Sequence, residues 1–102
     1  MRDLAREQLL TELRALKPVF EREGVVHLSM FGSRARGDNR PDSDVDLVVD
    51  VEKGRKFSGL DLAGIYGLIE DQLGLESSLI VLDKYTDPRF VAKIERDLVP
   101  VF

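Results

Sequence analysis

Two aspartates, Asp44 and Asp46, lie two positions apart where the chain becomes rich in valine and leucine. That composition predicts a β-strand over residues 44–51, and side chains two apart on a strand project from the same face. Two carboxylates held so close together repel each other unless a cation bridges them. Carboxylate oxygens are suitable ligands for Mg²⁺ or Mn²⁺, which can in turn hold the phosphates of a substrate. The pair therefore predicts a metal site.

A second group of polar residues follows an apolar run at 25–31, which predicts another strand. Gly32 and Ser33 come directly after this run, and Arg34 to Arg36 can form a helical turn. A strand followed by a helix N-terminus presents backbone N–H groups that attract phosphate, and Gly32 lets a phosphate approach closely. Ser33 can add a hydroxyl donor, and Arg34 and Arg36 can add positive charge. These four residues are the predicted nucleotide-binding or phosphate-binding residues.

Together the two groups form the pattern Gly-Ser, ten residues, Asp-x-Asp, within the string GSRARGDNRPDSDVDLVV. This pattern resembles the signature of the polymerase-β-like nucleotidyltransferase superfamily, and the fuller string resembles its minimal nucleotidyltransferase (MNT) branch. The resemblance covers nearly the whole chain. The alternative is that Asp42, Ser43 and Asp44 are turn residues after Pro41, and that Gly32-Ser33 starts an ordinary loop. The spacing and the flanking apolar runs favour the resemblance.

The resemblance implies both a fold and an activity. The expected fold is α/β (α+β), the polymerase-β-like nucleotidyltransferase fold, with a small mixed sheet packed with helices. The expected activity is the binding of ATP with Mg²⁺ or Mn²⁺ and the transfer of a nucleoside monophosphate to a hydroxyl acceptor. Asp44 and Asp46 would be the metal ligands and catalytic residues. Because stand-alone MNT proteins are often paired with a HEPN-type ribonuclease toxin, the implied acceptor lies on a partner protein. The other implied assembly is a homodimer.

One position departs from the MNT pattern. Proteins of this kind place a third carboxylate on a later strand, where it helps to bind the metal and accepts the proton of the attacking hydroxyl. Counting from Leu73-Gly74, that position is Ser78. A serine lacks the charge of a carboxylate and is too weak a base near neutral pH. Glu76, two residues earlier, is the nearby carboxylate that would have to replace it.

Two functions therefore remain open from the sequence. The first is a nucleotidyltransferase of the protein adenylyltransferase type, with activity weakened by Ser78 unless Glu76 compensates. The second is a catalytically degenerate MNT protein that acts as a binding, antitoxin or dimerisation module. The intact Gly32-Ser33 and the pair Asp44 and Asp46 favour retained nucleotide or metal binding, whereas Ser78 favours the second function.

The composition limits the class of protein. One hundred and two residues, 43% of them hydrophobic, predict a single domain over residues 1–102. A formal net charge of −4 argues against broad nucleic-acid binding through a basic surface. The chain has no cysteine and no apolar run that approaches about 18 residues, and its charged N-terminus lacks a signal-peptide core. We therefore expect a cytoplasmic protein that does not enter the membrane.

The rest of the sequence predicts the scaffold. Leucines at helical spacing predict an amphipathic helix over residues 3–17, and a second helix over 18–23. A further helix begins at a capping-box pair, Ser58 and Asp61, and ends at Gly74, and its Gly64 and Gly67 predict close packing against another element.

The last part of the sequence predicts a further strand, a last helix and an apolar tail. Apolar residues 79–82 predict a buried strand, and Asp87 with Pro88 predicts the start of a last helix. Residues 100–102 form an apolar tail that either packs on the core or is available to a partner. The single histidine, His27, is expected to share a strand face with Val25 and to have a structural role.

Overall fold

Helices and strands alternate in the computed structural model, which describes residues 5–54, 56–82 and 86–102. The helices are α1 (Arg6–Ala15), α2 (Lys17–Arg22), α3 (Gly32–Arg36), α4 (Gly59–Leu73) and α5 (Pro88–Glu95). The strands are β1 (Val25–Phe31), β2 (Val45–Val51), β3 (Ser77–Val81) and β4 (Val99–Pro100).

The strands form one mixed sheet in the order β3-β2-β1-β4. Strand β1 is antiparallel to both β2 and β4, whereas β2 and β3 are parallel. This confirms the expected α/β fold with a small mixed sheet packed with helices. The fourth strand is an addition to the three that the sequence predicts.

The N-terminal helices form because their leucines recur at helical spacing and can be buried together. Leu9 and Leu13 of α1 are fully buried, and Phe20 of α2 is buried beside them in the same core. The predicted first helix is confirmed from Arg6 to Ala15, but Lys17 belongs to α2, and residues 3 and 4 lie outside the described residues. Pro18 lies in the first turn of α2, where its missing N–H costs no hydrogen bond.

Strand β2 supplies the centre of the sheet. Val45, Leu47 and Val49 alternate along it and are fully buried on the face that carries the core. The opposite helix layer contributes a stripe from α4 at every fourth residue, in which Ile65 and Ile69 are also fully buried. On the other face Val48 is buried as well, whereas Asp46 is partly exposed and Asp50 is exposed, so the polar side chains of β2 lie on that face.

Helix α4 is bounded as predicted, but its glycines are not closely packed. Both hydrogen bonds of the Ser58 and Asp61 capping box are present, which accounts for the start of the helix. A Cβ at Gly67 would meet no atom within 4 Å, and one at Gly64 would meet only the Glu23 Oε2, at 3.9 Å. The prediction of close packing at these glycines is therefore wrong.

A β-bulge changes which residues of β1 share a face. The pairing of β1 with β2 shifts register between Val25 and His27. Because a bulge inserts an extra residue, Val25 is buried together with Leu28 and Met30 although its parity differs from theirs. The expectation that His27 and Val25 share a face is wrong, and His27 lies exposed to solvent.

The C-terminal tail packs on the core. Val101 donates its backbone N–H to the carbonyl of Leu28 at 2.8 Å, and the rings of Phe102 and Phe20 lie 5.9 Å apart. The side chain of Arg14 donates to the carbonyl oxygens of Pro100 and Val101. These contacts favour the first of the two alternatives for residues 100–102.

Helix α5 begins as predicted, because the Asp87 side chain accepts from the backbone N–H of Arg89. Within the described part of the chain, no helix combines the length and the apolar character needed to cross a bilayer.

Candidate active site

Asp46 lies on the face of the sheet opposite the core, at the second position of β2. In the register of the sheet its neighbours are Phe31 of β1 on one side and Ser78 of β3 on the other. Because Val45 and Leu47 point into the core, the Asp46 side chain points away from it, and it is partly exposed. Asp44 lies just before β2 and is exposed, so the predicted strand begins one residue later than expected.

Gly32 brings the Gly-Ser turn into contact with this carboxylate. Its φ of +75° is a left-handed conformation that glycine adopts readily, and it allows β1 to turn directly into α3. A Cβ at Gly32 would overlap the Asp46 carboxylate and would lie 3.1 Å from its Cγ. A side chain here would require the Asp46 carboxylate to move, and the left-handed φ disfavours one as well. The two halves of the sequence pattern are therefore adjacent in space.

The surroundings of Asp46 disfavour its carboxylate anion when no cation is bound. Burial raises the pKa of Asp46, the negative charge of Asp44 raises it further, and the positive charge of Arg36 lowers it. Since burial and a like charge both disfavour the carboxylate anion, a cation placed between Asp44 and Asp46 would relieve both effects. The electrostatics agree with the predicted role of the pair.

The two arginines of α3 have different surroundings. Arg36 is exposed, and it forms ion pairs with Asp38 at 3.0 Å and with Asp97 at 2.9 Å. Arg34 is only 1% exposed, and its guanidinium donates to the carbonyl oxygens of Pro41 and Ser43. Of the two, Arg36 lies at the surface, where its charge lowers the pKa of Asp46, whereas Arg34 lies beneath the loop at 37–43. That either arginine contacts a phosphate stays a prediction.

Sequence reasoning missed Asp97 as an ion-pair partner of Arg36. It lies 61 residues after Arg36, just beyond α5, and no local pattern marks it. The buried position of Arg34 was missed as well, because an arginine between glycines and polar residues looks like a surface residue. An internal turn in which the Arg40 N–H donates to the Ser43 hydroxyl shows that the loop folds back on itself.

The position expected for a third carboxylate is occupied by Ser78, which is paired directly with Asp46 across the parallel strands. Glu76 precedes β3, its side chain is exposed, and its carbonyl accepts from the N–H of Val45. Among the described residues, no group of three or more acidic, histidine or cysteine side chains is arranged to hold a metal ion. Within the described ranges the site therefore offers a pair of carboxylates rather than a triad.

A carboxylate pair still suits a divalent cation that arrives with a nucleotide. Mg²⁺ keeps several waters and is commonly held by one or two carboxylates together with substrate phosphates. Asp44 and Asp46 are the residues that would hold it. The Gly-Ser backbone lies next to the same carboxylate, since a Cβ added at Gly32 would overlap the Asp46 side chain. The donor set fits the cation on these grounds.

Comparison with known proteins agrees with the geometry. The family model for the nucleotidyltransferase domain matches residues 6–101. The protein adenylyltransferase MntA of Thermococcus cleftensis is 36% identical over 75 residues, which are 74% of this chain and 72% of that protein. A minimal nucleotidyltransferase of known structure superposes with a TM-score of 0.80 at 32% identity, covering 98% of this chain and 99% of the other.

A more distant structure has the same fold. It is a toxin–antitoxin crystal structure with AMP-PNP, and it matches with a TM-score of 0.69 at 14% identity over 89% of this chain and 72% of that one. At this identity the likeness concerns the fold alone.

Proposed function

We propose that this chain, which belongs to the nucleotidyltransferase domain family, binds ATP with Mg²⁺ and transfers its nucleoside monophosphate to a hydroxyl group of a partner protein. The observation that carries the proposal is the contact of the Gly32 turn with the Asp46 carboxylate. This contact supports the proposal, because a backbone turn suited to a phosphate and a carboxylate suited to a metal ion lie at one point of the sheet. A loop of unrelated function has no need for this proximity.

The reaction assigns a role to each residue. An acceptor hydroxyl oxygen forms a bond to the α-phosphorus while the bond from that phosphorus to the bridging oxygen breaks, and pyrophosphate leaves. The Gly32-Ser33 backbone and the Ser33 hydroxyl seat the β- and γ-phosphates. Arg36 neutralises charge on the leaving group, for which it must exchange its ion pairs with Asp38 and Asp97. A divalent cation held by Asp44 and Asp46 would stabilise the charge that develops in the in-line displacement.

The fate of the hydroxyl proton decides how fast the chain reacts. Ser78 stands beside Asp46 and cannot accept a proton near neutral pH. The proton therefore passes to water or to Glu76, and we expect transfer to be slow unless Glu76 compensates. The adenylyltransferase name of the Thermococcus cleftensis relative supports transfer of an AMP group, and supports a protein as the acceptor.

The partner is proposed to be a toxin of the HEPN type. A protein with the same fold occurs in a toxin–antitoxin complex with a nucleotide analogue, which supports a protein partner and a nucleotide for this chain. A second function is favoured by Ser78 itself. With two carboxylates instead of three, the chain would neutralise its partner by contact alone, or dimerise, while it retains nucleotide binding.

Calorimetric titration of the chain with ATP in the presence of Mg²⁺ tests the proposal. We expect binding by the wild type, and loss of the Mg²⁺-dependent part in the double variant Asp44→Ala and Asp46→Ala, with the fold unchanged by circular dichroism. Mass spectrometry of the co-purified partner then separates the two functions. A mass increase of one nucleotide unit indicates transfer, whereas a stable complex without that increase indicates the contact module. Equal ATP affinity of wild type and double variant would overturn the metal site.

A further inference from the structure

The buried guanidinium of Arg34 connects the two halves of the site. Arg34 is the one buried charged residue of the described core, at 1% exposure. Its Nε donates to the Ser43 carbonyl at 3.0 Å and its Nη2 donates to the Pro41 carbonyl at 3.2 Å. Arg34 belongs to the same short helix as Gly32 and Ser33, and the two carbonyls belong to the loop that leads into Asp44.

The acceptor at Ser43 is important because of the peptide group to which it belongs. The carbonyl of Ser43 and the N–H of Asp44 lie in one planar unit, so a hydrogen bond to that carbonyl orients the peptide plane that precedes Asp44. On the far side of Asp44, the N–H of Val45 donates to the carbonyl of Glu76 at 3.0 Å. Asp44 thus lies between two peptide groups that are each held by a hydrogen bond, although its own side chain is exposed.

The burial of a charge makes a purely stabilising role for Arg34 a poor explanation. A cation removed from water is costly even when it is hydrogen-bonded, and a well-packed apolar side chain of similar size often stabilises a fold as well or better. What an arginine adds is a planar fork whose donors are fixed relative to one another. The fork suits the two carbonyls of this loop, which lie two residues apart in the chain.

We propose that Arg34 is a positioning residue, which places the Asp44 carboxylate beside Asp46 by holding the carbonyls of Pro41 and Ser43. The inference rests on the proposed function, since it assumes that Asp44 and Asp46 bind a divalent cation. In this role Arg34 acts through the loop, and Arg36 is left as the exposed arginine for the nucleotide. The loop at 37–43 is then part of the metal-binding machinery and more than a connector.

Arg14 offers a control in the same chain that is matched in its contacts, although it is exposed and Arg34 is buried. Its Nε and Nη2 donate to the carbonyls of Val101 and Pro100, so it uses the same atoms for the same kind of contact. Those carbonyls belong to the C-terminal tail rather than to the loop before Asp44. Replacement of either arginine by lysine keeps the charge and removes the fork, so electrostatic effects on the site stay similar.

The test measures the binding of Mn²⁺ in the absence of nucleotide. It uses electron paramagnetic resonance titration of the full chain, well below the melting temperature of each variant. Mutation of groups that orient metal ligands typically weakens metal binding by 10–100-fold, and we expect about a tenfold weaker affinity for Arg34→Lys. The Mn²⁺ affinity of Arg14→Lys should stay within about twofold of the wild-type value, even if its melting temperature falls by as much as that of Arg34→Lys. Amide hydrogen exchange at Ser43 and Val45 should be faster in Arg34→Lys only. Arg34→Met, which has no charge to bury, is measured as well in case the lysine variant does not fold.

The outcomes separate the inference from the proposed function. If the wild type binds Mn²⁺ and the Arg34 variants bind it equally well, the positioning role is wrong, whether or not the loop amides exchange faster. If the wild type does not bind Mn²⁺, the metal site itself fails, and the positioning role fails with it for that distinct reason. Weaker Mn²⁺ binding by the Arg34 variants, with Arg14→Lys unchanged, supports the inference.

Discussion

Ser78 lies beside Asp46 on the neighbouring strand, and a carboxylate at this position would complete the site. We expect Ser78→Asp to accelerate nucleotidyl transfer, because the new group can bind the cation and accept the hydroxyl proton. General base catalysis typically contributes about 10²–10⁴-fold, which sets the expected gain. The rate is measured by the mass shift of the partner. Ser78→Asn is the control, since it matches the aspartate in shape but has no charge. A wild-type rate that Ser78→Asp does not improve and that Glu76→Gln abolishes would identify Glu76 as the third carboxylate.

Gly32 has both a left-handed backbone and a carboxylate where a side chain would be. Gly32→Ala should therefore weaken nucleotide binding by more than Ser33→Ala, for which the loss of one hydrogen bond predicts about 1 kcal/mol. Gly54 has a similar φ of +81°, and a Cβ there would meet no atom within 4 Å, so Gly54→Ala controls for backbone strain alone. We expect Gly54→Ala to leave ATP affinity unchanged in calorimetry. Unchanged affinity in all three variants would show that the Gly-Ser turn is only a connector.

Asp46 should reduce stability at neutral pH when no metal is present. Burial and Asp44 raise the pKa of Asp46 above its value in the unfolded chain, so the folded state disfavours the anion. A group of this kind contributes stability at low pH and loses it as the pH rises through the folded pKa. Asp46→Asn should then be more stable than the wild type at pH 7, and the difference should shrink on acidification. Urea unfolding at pH 7 and at an acidic pH measures this difference in stability. Asp50→Asn, at an exposed position of the same strand, is the control. A less stable Asp46→Asn at pH 7 would contradict this interpretation.

At the scale of the elements, α4 shows how local and tertiary requirements can differ. Gly67 lies inside the helix, where glycine costs about 1 kcal/mol relative to alanine, and no neighbouring group needs the space. Gly67→Ala should therefore stabilise the chain by about 0.5–1 kcal/mol in urea unfolding. Gly74, which ends the same helix with a φ of +67°, is the opposite case, and Gly74→Ala should destabilise it. Destabilisation by Gly67→Ala would mean that this face of α4 has a packing role.

Helix α4 also supplies a hydrogen-bond acceptor to a backbone N–H at the edge of the sheet. Among the strands that the structure describes, β3 pairs with β2 alone, and the N–H of Leu79 donates to the Tyr66 hydroxyl of α4 at 3.1 Å. Edge strands with free N–H groups invite pairing with other chains, and this hydrogen bond removes one of them. The Tyr66 ring packs against the core while its hydroxyl serves the sheet edge.

At the scale of the whole molecule, the C-terminal tail packs against helix α2 and covers part of the core. The ring of Phe102 packs against Phe20 of α2 and lies 5.8 Å from the Lys17 ammonium group. Phe102→Ala should cost about 2 kcal/mol, less than the loss of a fully buried ring because this one is partly exposed. Leu60 is 82% exposed, and Leu60→Ala should change stability by less than about 0.5 kcal/mol. Equal melting temperatures for the two variants would show that the tail is not part of the core.

The sequence by itself determined three of the four strands, the starts of two helices and the candidate residues of the site. Valine and leucine at alternate positions specify which face of β2 is buried, and capping residues such as Ser58 and Asp87 specify where helices begin, because both signals act over a few residues. The spacing of Gly32-Ser33 from Asp44 and Asp46, through its resemblance to a known pattern, indicated the family. Counting from Leu73-Gly74 also placed Ser78 at the position expected for the third carboxylate, and in the parallel register Ser78 is the β3 neighbour of Asp46.

Only the tertiary structure decided the remaining features. The bulge at Val25–His27, the fourth strand and the ion pair of Arg36 with Asp97 depend on segments distant in sequence, which no local periodicity reports. The same is true of Arg34. Its sequence neighbours are those of a surface residue, and it is buried because the loop at 37–43 folds over it and offers carbonyl oxygens. Side-chain burial is a property of what the rest of the chain places on top of a residue, and local sequence does not contain that information.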